Sequence, residues 1–152
     1  MRDSIQAVIL AGGKGRRLGK LGRKIPKAMV GIDRRPFIEI LINQLKKSGI
    51  KEFLILAGYK KQIIQKKFQN NNHIKVHNGK TNWKILTRLF RAKKLISKNF
   101  LLMYCDNYLI NFSLSKQINL FKKKNSKIVF SIIEKKKGQK GSIVETNLKR
   151  IY

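Results

Sequence analysis

Acidic residues are scarce in this chain: seven Asp and Glu stand against 36 Lys and Arg in 152 residues, for a net charge of +29. There is one cysteine, so an internal disulfide is excluded and a reducing, cytoplasmic setting is expected. No apolar run approaches the roughly 18 residues that a membrane-spanning helix requires. Met1-Arg2-Asp3-Ser4 leads straight into an apolar segment, a pattern that lacks the features of a signal peptide. Only His73 and His77 are available as imidazole bases, and both read as surface or strand-end residues. Two common phosphate-binding fingerprints are missing. No Gly-x-x-x-x-Gly-Lys precedes Ser or Thr, and Gly13-Lys14-Gly15 is followed by a glycine one place too late for the dinucleotide pattern.

The excess of positive charge suits nucleic acid or an anionic surface in principle. The cations are nevertheless scattered, mostly Lys, and set among Asn and Ile, as an AT-rich coding sequence would produce. The runs Lys122-Lys123-Lys124 and Lys135-Lys136-Lys137 have no aromatics interleaved, so base stacking has no platform there. Nucleic-acid binding is therefore the weaker reading. Apolar residues make up 42% of the chain, enough for a core. At this length one domain is expected over residues 1–152, burying about two-thirds of its unfolded surface.

The informative stretch is Ala7-Val8-Ile9-Leu10 running into Ala11-Gly12-Gly13-Lys14-Gly15-Arg16-Arg17-Leu18, with Pro26-Lys27 beyond. A buried strand opening into a glycine-rich, cationic loop is suited to phosphates. Glycine lets backbone N–H groups approach a polyphosphate, and Arg offers bidentate, charge-assisted contacts. Lys27 adds a cation on a segment fixed by Pro26. Residues 12–26 are expected to form an extended basic loop.

Further on, strands and helices alternate. Strands are expected at Ile5–Ala11, Glu52–Ala57, Ile74–His77, Phe100–Cys105, Lys127–Ile133 and, weakly, Ser142–Ile151, with a turn at Gly138–Gly141. Helices are expected from Pro36 to before Gly49, over Lys60–Phe68, through Ile85, Leu89, Ala92 and Ile96, and after Ser113. This alternation predicts an α/β fold with a mostly parallel sheet covered on both faces. Ligands in such sheets bind beyond the carboxyl ends of the strands. The glycine loop and Asp106 both fall at that rim. A carboxylate ending a buried strand suits Mg²⁺, which takes one or two protein carboxylates beside water and phosphate oxygens. Asp106 also starts an Asp-Asn-Tyr turn, a use of Asp that needs no metal.

Leu10-Ala11-Gly12-Gly13-x-Gly15-x-Arg17-Leu18, then Pro26-Lys27-Ala28-Met29, resembles the opening motif of sugar-1-phosphate nucleotidylyltransferases. The likeness continues through Gly31-Ile32, Arg35-Pro36-Phe37-Ile38-Glu39, Ser48-Gly49-Ile50 and Ala57-Gly58-Tyr59-Lys60. The opening half looks most like the heptose-1-phosphate guanylyltransferase branch, and Arg88 to Asp106 is closer to the glucose-1-phosphate cytidylyltransferase style. The molybdenum-cofactor type of nucleotidyltransferase shares the glycine opening but matches less well beyond it. The resemblance implies a Rossmann-like, mixed and mostly parallel sheet, C-terminally short. It also implies transfer of a nucleoside monophosphate from a nucleoside triphosphate to a sugar 1-phosphate, releasing pyrophosphate, in nucleotide-sugar synthesis for surface polysaccharide. In those terms Leu10, Ala11, Gly12, Gly13, Gly15 and Arg16 would hold the nucleotide. Arg17 would stabilise the α-phosphoryl transition state, Lys27 would hold phosphate oxygens, and Asp106 would hold Mg²⁺.

Two departures stand out. Where the family carries a Gly-Thr-Gly type element, this chain reads Asn78-Gly79-Lys80-Thr81-Asn82-Trp83-Lys84, placing an indole where small residues are expected; it would fill the pocket or stack on a base. The family also normally continues into a sugar subsite with a second metal-binding aspartate. A nucleotide-binding subunit without turnover, completed by a C-terminal partner or a second copy, is therefore a competing expectation.

Overall fold

The computed structural model describes residues 4–108, 113–123 and 127–129. In chain order the elements are β1 (Gln6–Ala11), a 3-10 turn (Arg16–Leu18), α1 (Gly19–Lys24), a second 3-10 turn (Lys27–Met29), β2 (Gly31–Ile32), β3 (Arg35–Pro36), α2 (Phe37–Lys47), β4 (Glu52–Ala57), α3 (Lys61–Phe68), β5 (Ile74–Asn78), α4 (Ile85–Ala92), a third 3-10 turn (Lys93–Leu95), β6 (Phe100–Tyr104) and α5 (Leu114–Lys123). The chain divides into a unit of residues 1–114 and one of residues 115–152. In the second, α5 follows Ser113 as the sequence predicts. Residues 127–129 form no strand. The rest of the predicted strand to Ile133, the turn at 138–141 and the strand at 142–151 lie outside the described residues.

Four strands form one parallel sheet in the order β5-β4-β1-β6. β1 is central, its six residues all buried, which explains its unbroken apolar run. Register pairs Ala7 with Phe53 and Leu101, and Leu10 with Leu56 and Tyr104. The connections β1→β4 and β4→β5 step one way across the sheet, and β5→β6 steps back over β4 and β1. Right-handed crossovers then put α2 and α3 on one face and α4 on the other. The contacts agree. Lys67 on α3 bridges Glu39 on α2 at 2.9 Å. On the opposite face Ala92, with Leu89 and Ile96, packs on Val8, Leu10, Leu54 and Leu56.

α2 follows the predicted apolar stripe: Ile38, Leu41, Ile42 and Leu45 are its buried residues. A feature the sequence reading did not contain is the two-strand hairpin of β2 and β3. Its tip, Asp33-Arg34, has φ of 47° and 65°, the paired left-handed residues of a type I′ turn.

The expectation of an extended loop over residues 12–26 is corrected: the segment folds into a 3-10 turn and the short helix α1. Three interactions invisible in local pattern stabilise it. Gly22 lies so close to the Gly15 carbonyl that a Cβ there would sit 2.6 Å from the oxygen. The carbonyls of Arg23 and Lys24, at the helix end, accept from Tyr59 Oη (3.3 Å) and Lys60 Nζ (2.8 Å). Both donors come from the β4–α3 connection, so this helix is capped by tertiary partners.

Truncating Leu54, which is fully buried beneath α4, is expected to cost about 2–5 kcal/mol. Leu86→Ala on the same helix layer, at a side chain 79% exposed, should stay within about 0.5 kcal/mol. Urea unfolding of the two variants checks both values.

Candidate active site

The sheet order reverses at β1, with β4 and β5 on one side and β6 on the other, and the crevice beyond the ends of β1 and β6 is where an open α/β sheet takes its ligand. The Cys105 N–H donates to the Leu10 carbonyl at 3.1 Å, so the chain leaves β6 directly beside the exit of β1. Ala11-Gly12-Gly13 and Asp106 therefore meet at one rim. Lys27 arrives there too: its ammonium donates to the Asp106 carboxylate across 79 residues of sequence. Both side chains are about one-third exposed, at 33% and 39%.

The loop between them is shaped by a few backbone constraints. Gly15 has φ 61°, a left-handed conformation that glycine adopts without strain, and its carbonyl receives the Leu18 N–H at 2.9 Å to start the 3-10 turn. Lys27 Cβ lies 3.3 Å from where a Gly15 Cβ would be, so the Pro26-Lys27 segment folds back onto the glycine loop. Arg16 and Arg17 are exposed, and neither guanidinium has a hydrogen-bond partner among the described residues. The Gly12 carbonyl accepts the Tyr59 N–H at 3.2 Å and is turned inward. In a trans peptide the N–H of the next residue then points outward. At Gly13 a Cβ would meet nothing within 4 Å.

The predicted site residues thus fall in two groups. Ala11, Gly12, Gly13, Gly15, Lys27 and Asp106 converge at the β1–β6 rim. Arg16 and Arg17 stand on the adjoining turn. Leu10, on β1 itself, is 7% exposed and packs in the core cluster on the α4 face, and its carbonyl accepts the Cys105 N–H. Cys105 is buried, and burial first, with the Asp106 charge second, pushes its thiol up to about 11. Such a thiol is neutral at physiological pH and a weak nucleophile. Asp106 is the one carboxylate among the described residues at this rim, and no cluster of three metal-ligating side chains occurs among them. A single exposed carboxylate beside a phosphate loop fits Mg²⁺, with phosphate oxygens and water completing its shell.

A residue that the sequence reading passed over holds the rim together. Arg88 on α4 is 5% exposed. Its Nε donates to the Trp83 carbonyl (3.1 Å) and its Nη1 to Ala57 (2.9 Å). Its Nη2 donates to Lys80 (2.7 Å), Thr81 (3.1 Å) and, longest, Gly12 (3.5 Å). Burial lowers its pKa from the ordinary value, yet a guanidinium stays protonated. Three glycines, each directly following a strand, close around it. A Cβ would lie 2.2 Å from Cζ at Gly12, 2.8 Å from Nη1 at Gly58 and 2.9 Å from Nη1 at Gly79. Gly12 has no room for a side chain, because Arg88 fills the place of its Cβ. A lone cation on the core-facing side of α4, together with a glycine after each of β1, β4 and β5, was the available signal. Trp83 packs its Cε3 edge on Gly79, with Arg91 over its ring at 5.9 Å.

The nucleotidyl transferase family model matches residues 6–143. This chain belongs to that family. Over 66 residues it is 42% identical to D-glycero-alpha-D-manno-heptose 1-phosphate guanylyltransferase of Campylobacter jejuni, covering 43% of this chain and 30% of that protein. It is 32% identical over 106 residues to the UTP–glucose-1-phosphate uridylyltransferase AglF of Haloferax volcanii, covering 68% of this chain and 44% of that protein. Among solved structures it resembles HddC from Yersinia pseudotuberculosis complexed with GMP-PN. The TM-score is 0.65 and the identity 25%, over 78% of this chain and 53% of that one. The chain thus spans less than half the length of these two curated relatives.

Two outcomes test this geometry. Gly12→Ala should destabilise the chain by about 1–3 kcal/mol through overpacking against Arg88, and Gly13→Ala should stay within about 0.5 kcal/mol; chemical denaturation separates them. Burial, and secondarily the Arg88 charge, lower the pKa of His77 below 6.5. The unfolded chain then binds the proton more readily, so this contribution is complete above the unfolded value and is lost as pH falls through the folded one. Melting curves between pH 7.5 and 5.5 should show the wild type losing more stability than His77→Gln.

Proposed function

We propose that this chain carries the nucleotide-binding half of a sugar-1-phosphate nucleotidylyltransferase, as one nucleotidyltransferase-like domain. The observation that carries the reading is the meeting of Lys27 and Asp106 opposite the glycine loop at the β1–β6 switch point. Such a site suits a reaction that needs charge and position rather than a base. A phosphate oxygen of the sugar 1-phosphate attacks the α-phosphorus of the nucleoside triphosphate, the α–β anhydride bond breaks, and pyrophosphate leaves. The attacking phosphate, with a second pKa near 6, is already mostly ionised at neutral pH. No proton need be removed, consistent with a rim that presents no histidine.

Each side chain then has a defined task. Gly13 offers its outward N–H to a phosphate oxygen. Arg17, exposed on its 3-10 turn, neutralises the charge that develops on the α-phosphoryl group and the departing pyrophosphate. Arg16 adds to the field that draws the triphosphate in. Lys27, seated beside Asp106 at the rim, holds phosphate oxygens of the substrates. Bound Mg²⁺ would neutralise phosphate charge, with Asp106 as its protein ligand. Synthesis of nucleotide sugars for surface polysaccharide in the cytoplasm is the setting this chemistry suits.

Calorimetric titration of the purified chain with the Mg²⁺ complexes of ATP, GTP, CTP, UTP and dTTP tests the reading. One triphosphate should bind in the micromolar range. Arg17→Ala and Asp106→Asn should each weaken it at least about tenfold, and in turnover assays the loss should reach on the order of 100- to 1,000-fold. A folded wild type that binds no triphosphate, or variants that bind as tightly as wild type, would overturn it.

A further inference from the structure

The phosphate chemistry accounts for the rim between β1 and β6. It leaves unexplained why a buried guanidinium should sit at the same rim on the other side of β1, over β4 and β5. Arg88 has no carboxylate partner among the described residues. Its bonds go only to backbone carbonyls, and those come from separate segments: Gly12 after β1, Ala57 at the end of β4, and Lys80, Thr81 and Trp83 in the segment after β5. The glycines at 12, 58 and 79 remove every Cβ that would push the fork out of plane. A rigid planar group with donors on all edges, seated where three strand exits meet, fixes the distances between them. Lysine cannot do the same, since its ammonium is a point donor on a flexible stem.

A nucleoside triphosphate is longer than its phosphates. With the phosphates at Gly13, Lys27 and Asp106, the nucleoside end has to run along the rim. β6 ends the sheet on one side among the described residues; on the other, the rim is walled by Gly12-Gly13 and residues 79–83. Resting on the nucleotidyl transferase reading above, we propose that Arg88 is a positioning residue for the base and ribose. It acts without touching them, by setting the separation between the Gly12-Gly13 loop and the 79–83 segment. Trp83, whose carbonyl it holds and whose indole is the single tryptophan of the chain, lies on the second wall.

The test compares two ligands. In wild type and Arg88→Lys, the Mg²⁺ complexes of the preferred nucleoside triphosphate and of inorganic tripolyphosphate are titrated, with Trp83 fluorescence recorded alongside. The expected result in Arg88→Lys is nucleotide affinity lowered roughly tenfold or more, the loss of about one charge-assisted contact, with tripolyphosphate affinity within twofold of wild type. Trp83 emission should also shift before any ligand is added. A parallel loss for both ligands means that Arg88 only stabilises the fold, and no loss for either means that it sets nothing; each overturns the proposal while leaving the transferase reading intact. A wild type that binds neither ligand overturns that reading, and this proposal with it. Where Arg88→Lys does not fold, Gly79→Ala carries the same comparison, because its Cβ would press on Nη1 from 2.9 Å.

Discussion

Taking a guanidinium out of water costs several kcal/mol, and among the described residues no carboxylate pairs with Arg88 to offset it. Arg88 is stabilised instead by carbonyl dipoles, five of them within hydrogen-bond distance. The carbonyls of Gly12 and Ala57 each also accept a backbone N–H, from Tyr59 and Gly79, and use their second lone pair on the guanidinium. The charge and the strand ends thus satisfy one another. The rest of the rim is arranged around that fit: glycines at three exits, the Gly12 carbonyl turned inward, the 80–83 segment drawn down onto α4.

On the far side of β1 the arrangement is the opposite. There the polar groups are exposed and few. The outward Gly13 N–H, the arginines of the 3-10 turn, and the Lys27–Asp106 pair lie at the crevice between β1 and β6. An exposed ion pair contributes little to stability, so neither partner is held strongly from exchanging its neighbour for a phosphate or a cation. One strand, β1, therefore separates a locked polar cluster from an open one.

Much of this could be read in the sequence because β1, β4 and the stripe of α2 follow simple periodicities and because Asp106 ends an apolar run. Convergence of the glycine loop with Asp106 followed from the rule that parallel sheets bind at their carboxyl ends. What could not be read depended on partners distant in sequence. α1 lacks an amphipathic pattern and stands on Gly22 packing against Gly15 and on caps from Tyr59 and Lys60. Asp33-Arg34 forms a type I′ tip without the usual glycine or asparagine. Arg88 looked like one more cation in a chain with 36 of them; only the three glycines around it show that it points inward.

The span of the Arg88 contacts has a consequence for how the chain is made. Its bond to Gly12 crosses 76 positions, and Asp106 lies 79 positions from Lys27. During synthesis from the N-terminus, β1 and the glycine loop emerge long before the side chains that close them. Contacts this non-local form late, after the loop entropy between them has been overcome. The glycine loop therefore reaches its final shape only after Arg88 and Asp106 have been made.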